Sequence, residues 1–262
     1  MKYDNIFNLQ GKVAVVAGGA GLIGKELVRG LAEMGAMVIL ADIDAEKGNI
    51  YVKRLTSLNL KASFKYLDIT KEKSVINLIN YIGKEYGRID AWINCVYPKT
   101  KDWGVKFEYV SVKSWKKNVD MHLTGFFISC QKIAEYMKKQ KRGSIINMAS
   151  IYGMVGPDFS IYKDTKMTTP AAYSAIKGGI ITFTKYLASY YGKYNVRVNC
   201  ISPGGIYDRQ PVKFVQNYNR KVPLKRMADK EDVVGAAIYL ASDASRYVTG
   251  HNLVVDGGWT IV

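Results

Sequence analysis

The chain has 262 residues, 48% of them hydrophobic and 12% aromatic, enough apolar material to close a sizeable core, which excludes a disordered chain. Its 38 lysines and arginines outnumber 22 acids, a formal charge of +16. The densest basic run, KKQKRG at 138–143, has no interleaved aromatics and falls where a helix should end, a place cations favour, so a solvated surface and no nucleic-acid partner are expected.

The longest weakly polar run, VAVVAGGAGLIG, falls short of the roughly 20 residues that cross a bilayer, so no membrane association is expected. The opening MKYDNIFNLQ has no apolar run of the signal-peptide kind. Cys95, Cys130 and Cys200 are odd in number and far apart, without metal-ligand or redox spacing. The expected setting is reduced and cytoplasmic, with no metal.

In chain order, KVAVVAG reads as a buried strand and GKELVRGLAEMG as a helix stopped by glycine. MVILADI (strand), AEKGNIYVKRLTSLN (helix), KASFKYLDI (strand), EKSVINLINYIGKEYG (helix) and IDAWINCV (strand) follow. One unbroken helix is predicted through SWKKNVDMHLTGFFISCQKIAEYMKK, then strand GSIINMAS, a helix from about Ala172 to Tyr191, strand VRVNCIS, helix KEDVVGAAIYLAS and strand NLVVD. Such alternation implies an α/β fold: one Rossmann-type doubly wound parallel sheet in a single domain over 1–262. Three long segments, about 97–113, 152–170 and 204–227, each follow a predicted strand. They should lie on the carboxyl edge of the sheet, where such folds bind ligands.

The first strand runs into AGGAGLIG and directly into a helix. Gly18 permits the tight turn, Gly21 lets backbone approach a pyrophosphate, and Gly24 allows close helix–strand packing, with the helix N-terminus facing the phosphates. Asp42, at the end of the second strand, is placed to bind the adenosine ribose and repel a 2′-phosphate, so NAD is expected over NADP. Asp44 suits helix capping better.

The stretch SIYKDTKMTTPAAYSAIKGG holds two tyrosine–lysine pairs at a spacing of four, Tyr162 with Lys166 and Tyr173 with Lys177. Either spacing can share a helix face, where the ammonium would make the phenol a better acid.

Together these motifs resemble the short-chain dehydrogenase/reductase family along nearly the whole chain. AGGAGLIG is similar to its glycine turn, YLDIT supplies Asp68 beside the adenine, and DAWINCV is similar to its Asn-Asn-Ala-Gly strand. GSIINMAS ends on Ser150 at the catalytic serine, YSAIKGG supplies the Tyr-x-x-x-Lys motif, and VRVNCISPGGI and YVTGHNLVVDGG match late signatures. The resemblance selects Tyr173 and Lys177, which open a long helix leading to the strand that ends in Pro-Gly; Pro170 would disrupt a helix carrying Tyr162 and Lys166 onward. It also implies about ten residues inserted between Ser150 and Tyr173.

The implied chemistry is hydride transfer. Ser150 binds the substrate oxygen, Tyr173 takes or gives its proton, and Lys177 holds the nicotinamide ribose and, with the positive nicotinamide ring, lowers a phenol pKa ordinarily near 10. The resemblance places the cofactor against Gly18, Gly21, Leu22, Ile23, Gly24, Asp42, Asp68, Ile69, Asn94, Tyr173, Lys177, Pro203, Gly204 and Ile206. It also suggests a homotetramer.

Four departures narrow the resemblance. The glycines are spaced G-x-x-G-x-x-G, with Leu22 at a usual glycine. That spacing is common in the nucleotide-sugar branch, whose additional C-terminal domain VDGG plus four residues do not supply, so the single-domain branch is expected. His122 stands where the family's relay asparagine lies, one turn after Asn118, and is read as its replacement. Tyr97 replaces a glycine and should shape the substrate pocket. Asp208 stands at a usual threonine, and with Arg209 should face substrate. These features resemble oxidoreductases of bacterial flagellin glycosylation and nonulosonic (legionaminic-type) acid synthesis, which implies a sugar or sugar-phosphate substrate. Tyr97, Tyr152, Tyr162 and Tyr207 suit sugar faces, and Arg209, Lys213, Arg220 and Lys221 could neutralise a phosphate. Competing readings are a dehydrogenase of a steroid, acyl or alicyclic alcohol, and a non-catalytic dinucleotide-binding or nucleic-acid-binding regulator.

Overall fold

Strands such as VAVVA, buried at every residue, have to be covered on both faces. The computed structural model describes residues 5–262; the first four residues, part of the stretch read above for a signal peptide, lie outside it. Its elements are β1 (Val13–Ala17), α1 (Leu22–Glu33), β2 (Met37–Asp42), α2 (Ala45–Thr56), β3 (Ala62–Tyr66), α3 (Glu72–Tyr86), β4 (Ala91–Asn94), α4 (Val112–Val119), α5 (Gly125–Gln140), β5 (Gly143–Met148), α6 (Ala171–Tyr191), β6 (Val196–Pro203), α7 (Val212–Lys221), α8 (Val234–Ala241) and β7 (Asn252–Val255). The seven strands form one parallel sheet in the order β3-β2-β1-β4-β5-β6-β7.

Helices cover both faces. On one, Leu27 and Leu31 of α1, Leu55 of α2 and Leu240 of α8 pack on Val16, Leu40 and Ile146. On the other, Ile82 of α3, Ile133 of α5 and Leu187 of α6 pack on Val15, Ile39 and Ile145. The strand order reverses between β1 and β4, where Ala17 pairs with Asn94, so the crevice beyond these strand ends is the place for a ligand.

Two predicted features differ. The helix expected to run unbroken from α4 into α5 contains a π turn at Asp120–Thr124, and the extra residue in that turn swings His122 inward, fully buried. The third loop contains α7, which the helix pattern missed because its apolar positions are few. Phe214 and Tyr218 of α7 and Val222 after it meet Ile151, Ile161, Met227 and Trp259 in a small separate core. Tyr218 stacks on Trp259 at 4.6 Å, and its hydroxyl accepts the Gly205 N–H at 2.6 Å, fixing the Pro-Gly-Gly turn after β6.

Candidate active site

The chain leaves β1 through Gly18 at φ +84°, where a Cβ would lie 2.8 Å from the backbone of Cys95 and Val96. A side chain at Gly24 would collide with the Gly18 carbonyl, so the turn and the start of α1 are in contact because both residues are glycine. Gly21 begins α1 with no side-chain cap, and the first N–H groups of a helix have no intrahelical acceptor. The Asp42 carboxylate accepts the N–H of Ala20 at 2.9 Å and of Asp44 at 3.0 Å, tying the glycine turn to the end of β2, while Asp44 caps α2. A bare turn, an uncapped helix start and a carboxylate at the strand end fit a dinucleotide: N–H groups for the pyrophosphate, an acceptor for the ribose.

The other expected cofactor residues lie along the same edge. Asp68 turns the chain after β3 by accepting the Thr70 N–H (3.0 Å) and hydroxyl (2.7 Å), and Ile69 is buried beside it. The Gly204 N–H bonds the Val255 carbonyl at 2.9 Å, Pro203 ends β6, and Ile206 forms a bridge with Ala228. The Asn94 side chain points inward. Its amide oxygen accepts from Trp92 Nε1 (2.8 Å) and Ser129 Oγ (2.7 Å), and its nitrogen donates to Asn147 at 2.9 Å. A buried amide has to find partners, so the Asn94 side chain is committed to the sheet interior.

Ser150, just beyond β5, lies in extended backbone; its Oγ accepts the Tyr152 N–H at 3.2 Å, and its hydroxyl is near enough to the Tyr173 phenol to favour ionisation there. Tyr173 stands in the first turn of α6, which Pro170 begins. One turn on, buried Lys177 donates from Nζ to the Met148 carbonyl at 2.7 Å, with Nζ 5.6 Å from the Tyr173 ring centre. Burial brings the Lys177 pKa down to about 8. Burial also pushes the Tyr173 phenol up, and the Ser150 hydroxyl only partly opposes it. The sequence reading had Lys177 lowering this phenol; in the protein by itself desolvation prevails. Gly153, which the sequence reading passed over, lets the turn after Ser150 abut α6: a Cβ there would sit 2.6 Å from the Lys177 carbonyl carbon.

Tyr97 crosses the mouth of this group. Its ring meets Tyr173 (5.8 Å), His122 (5.6 Å) and Trp103 (5.9 Å) edge-on, and Trp103 Nε1 donates to its hydroxyl at 2.8 Å. Trp103 was missed in the sequence, since nothing local marks a loop tryptophan six residues away as the partner of Tyr97. Both ring nitrogens of His122 are buried without a partner among the described residues, and burial first, then Lys177, hold its pKa well below the usual imidazole range. The expected imidazole titrating near neutrality is therefore a neutral ring, capable of hydrogen bonding but not of carrying charge there. Asn118 is structural: it accepts the Thr100 N–H at 3.0 Å and donates to the Thr100 hydroxyl at 2.8 Å, anchoring the first loop to α4.

A family model described as Enoyl-(Acyl carrier protein) reductase matches residues 18–260. The chain is 37% identical over 260 residues to post-translational flagellin modification protein A of Campylobacter coli, covering 96% of this chain and 99% of the relative. The chain belongs to the short-chain dehydrogenase/reductase family. Two solved members superpose over nearly all of it. A Leptospira borgpetersenii short-chain dehydrogenase with bound NAD+ gives TM-score 0.85 at 35% identity, covering 99% of this chain and 96% of that one. A Burkholderia cenocepacia gluconate 5-dehydrogenase in complex with NADP and tartrate gives 0.88 at 27%, covering 98% of each. Like other short-chain dehydrogenase/reductases, the protein is an oxidoreductase of alcohol or ketone groups that binds a nicotinamide dinucleotide.

Within that family frame the Tyr162–Lys166 pair separates. Tyr162 closes a 3₁₀ turn (Phe159–Tyr162), and exposed Lys166 follows in irregular chain, so they share no helix face. Tyr162 packs on Phe214 at 5.3 Å, and its phenol lies near the hydroxyls of Tyr152 and Thr169. Its phenol is near enough to Tyr97 and Tyr173 to oppose their ionisation, and burial raises Tyr152 as well, so these phenols form a neutral hydroxyl cluster. Asp208 and Arg209 occupy an exposed turn, Arg209 at φ +57°, with the Asp208 N–H held by Gln210 at 2.7 Å. Exposed Tyr207 precedes them. Of the four cations read as a phosphate lid, Lys221 is engaged by Asp158 at 2.6 Å, which holds that carboxyl down at about 2.

Proposed function

We propose that the protein is an NAD-dependent oxidoreductase acting on a hydroxyl or ketone of a sugar or sugar-phosphate-type substrate, in the synthesis of bacterial surface or flagellin glycan precursors. The observation that carries this reading is the Ser150 hydroxyl beside the Tyr173 phenol, with Lys177 one turn on and the phenols of Tyr97, Tyr152 and Tyr162 gathered close by. A polyol can be hydrogen-bonded many times there, whereas a sterol or acyl chain would leave those groups desolvated and unpaired. The kinship to the flagellin modification protein points the same way. An acyl, steroid or alicyclic substrate is the competing reading, favoured by the description of the family model and by kinship, at 30–33% identity, to relatives named 3-oxoacyl-[acyl-carrier-protein] reductase and 7alpha-hydroxysteroid dehydrogenase.

In this mechanism the Ser150 hydroxyl and the Tyr173 phenol address one substrate oxygen. Tyr173, kept protonated by burial, donates its proton to a carbonyl being reduced, becoming phenolate; in the reverse direction it is the phenolate that takes the proton of a hydroxyl being oxidised. Lys177, pinned to the Met148 carbonyl, fixes the turn of helix that carries Tyr173 and offers donors to the nicotinamide ribose. The dinucleotide supplies the hydride chemistry when bound. His122 is proposed to hold a water between its unpartnered nitrogens and Lys177, in the role of the relay asparagine. His122→Phe should cut kcat about tenfold while His122→Asn retains activity, read from steady-state kinetics; equal losses in both would overturn the role.

Asp42 supports NAD over NADP, because a 2′-phosphate would meet a carboxylate already fixed by two N–H groups. Asp42→Ala is expected to shift the ratio of kcat/KM for NAD over NADP at least about tenfold toward NADP, near 1.4 kcal/mol. The protein is proposed to be cytoplasmic and homo-oligomeric. A stripe of exposed rings on α5 and α6, Phe127, Tyr186 and Tyr190, suits a second copy. Among the described residues no helix is long and apolar enough to cross a membrane. The reading is tested by following reduced cofactor over a panel of sugars, sugar phosphates, acyl ketones and sterols; turnover confined to sterols or acyl ketones sinks it.

A further inference from the structure

A cleft of about 580 Å³ opens beside the catalytic recess, between the first loop and the inserted one. Its floor is the first turn of α6, where Ala171 and Ser174 bracket Tyr173. One wall carries Lys106 and Phe107, the other Phe159, Tyr162 and Lys163. Tyr162 connects the two spaces: its ring lines the cleft, while its phenol influences Tyr173.

The lining is chemically mixed in a specific way. Phe107 and Phe159 are 78% and 62% exposed, and Phe107 has no ring partner among the described residues. Lys106 and Lys163 have no carboxylate partner among the described residues, unlike neighbouring Lys221, which Asp158 holds. Glu108 is the one acid of the lining, so the cleft keeps a net positive charge. Its volume lies in the range that encloses a whole drug-sized group, far more than a phosphate requires. Flat rings beside free ammonium groups suit a planar base joined to phosphates, through stacking and charge-assisted hydrogen bonds.

We infer that this cleft binds the nucleoside diphosphate portion of a nucleotide-linked sugar, with the sugar itself reaching Tyr173. The inference rests on the sugar-type reading above. A bare sugar phosphate would leave both aromatic walls unused, and an acyl chain or sterol would leave both lysines without a counter-charge.

The test is calorimetric titration of uridine, guanosine, cytidine and thymidine 5′-diphosphates into the full-length protein saturated with NAD, so that the dinucleotide site is already filled. At least one should bind once per protomer. Lys106→Ala and Lys163→Ala should each weaken it about five- to tenfold, and Phe107→Ala about tenfold, with NAD affinity unchanged in all three. Absence of binding by all four nucleotides, or equal binding by the wild type and every variant, would overturn the inference. Those outcomes leave the sugar reading standing, because it is judged separately by turnover of unlinked sugars against sterols and acyl ketones.

Discussion

Tyr173→Phe is expected to lower kcat/KM about 10³-fold with the sugar substrate the panel identifies, whereas Tyr162→Phe should change it less than about tenfold. The two phenols differ in company, not in kind. Tyr173 stands beside the Ser150 hydroxyl and one helical turn from Lys177. Tyr162 stands beside the hydroxyls of Tyr152 and Thr169 and packs on Phe214, and its lysine is out in solvent. Losing the Tyr162 hydroxyl should therefore appear mainly as stability, about 1 kcal/mol in urea unfolding, because the neighbouring hydroxyls lose a polar neighbour in a partly buried setting. Activity that survives Tyr173→Phe but disappears in Tyr162→Phe would reverse the assignment.

Lys177→Met is expected to abolish turnover and yet to stabilise the cofactor-free protein at pH 7. The buried ammonium has one protein acceptor among the described residues, the Met148 carbonyl, and its pKa falls from 10.5 to about 8 through burial. The unfolded chain protonates first as pH falls through 10.5, so the folded state loses stability from there down to about pH 8, and the whole cost persists below. That drop corresponds to about 3 kcal/mol; allowing for the carbonyl left unpaired, a net gain of about 1–2 kcal/mol remains. Urea unfolding of wild type and variant at pH 7 and at pH 10.5 checks it: the advantage should be present at the first and gone at the second. A variant less stable at pH 7 would mean that the ammonium is stabilising, and that its surroundings are more polar than the contacts indicate.

Much of this was legible before the fold was known, for local reasons. β1 runs straight into a glycine turn and a helix, so the spacing of Gly18, Gly21 and Gly24 encodes contacts between near neighbours. The Tyr173–Lys177 pair is likewise local to one helix, and Pro170 at the start of α6 separates it from the imitation upstream. Ser150 is proposed from the resemblance of GSIINMAS to the family's strand, despite the insertion that follows.

What escaped was non-local or energetic. The π turn at Asp120–Thr124 leaves no trace in a pattern read at helical period, yet it puts His122 in the interior. Trp103 meets Tyr97 only because Asn118 anchors the loop between them and α4. Asp208 and Arg209, expected by position to face substrate, lie in an exposed turn whose φ of +57° at Arg209 no sequence pattern marks.

The sequence by itself determined the strand–helix alternation and the glycine turn into α1, because each is written in residues close along the chain, and through its family resemblance it proposed Ser150, Tyr173 and Lys177 for the site. Only the tertiary structure decided the electrostatics. Whether a phenol, an ammonium or an imidazole is charged depends on how much water the surrounding elements exclude, and here rings from three separate segments, Tyr97, Phe126 and Tyr173, close around Lys177.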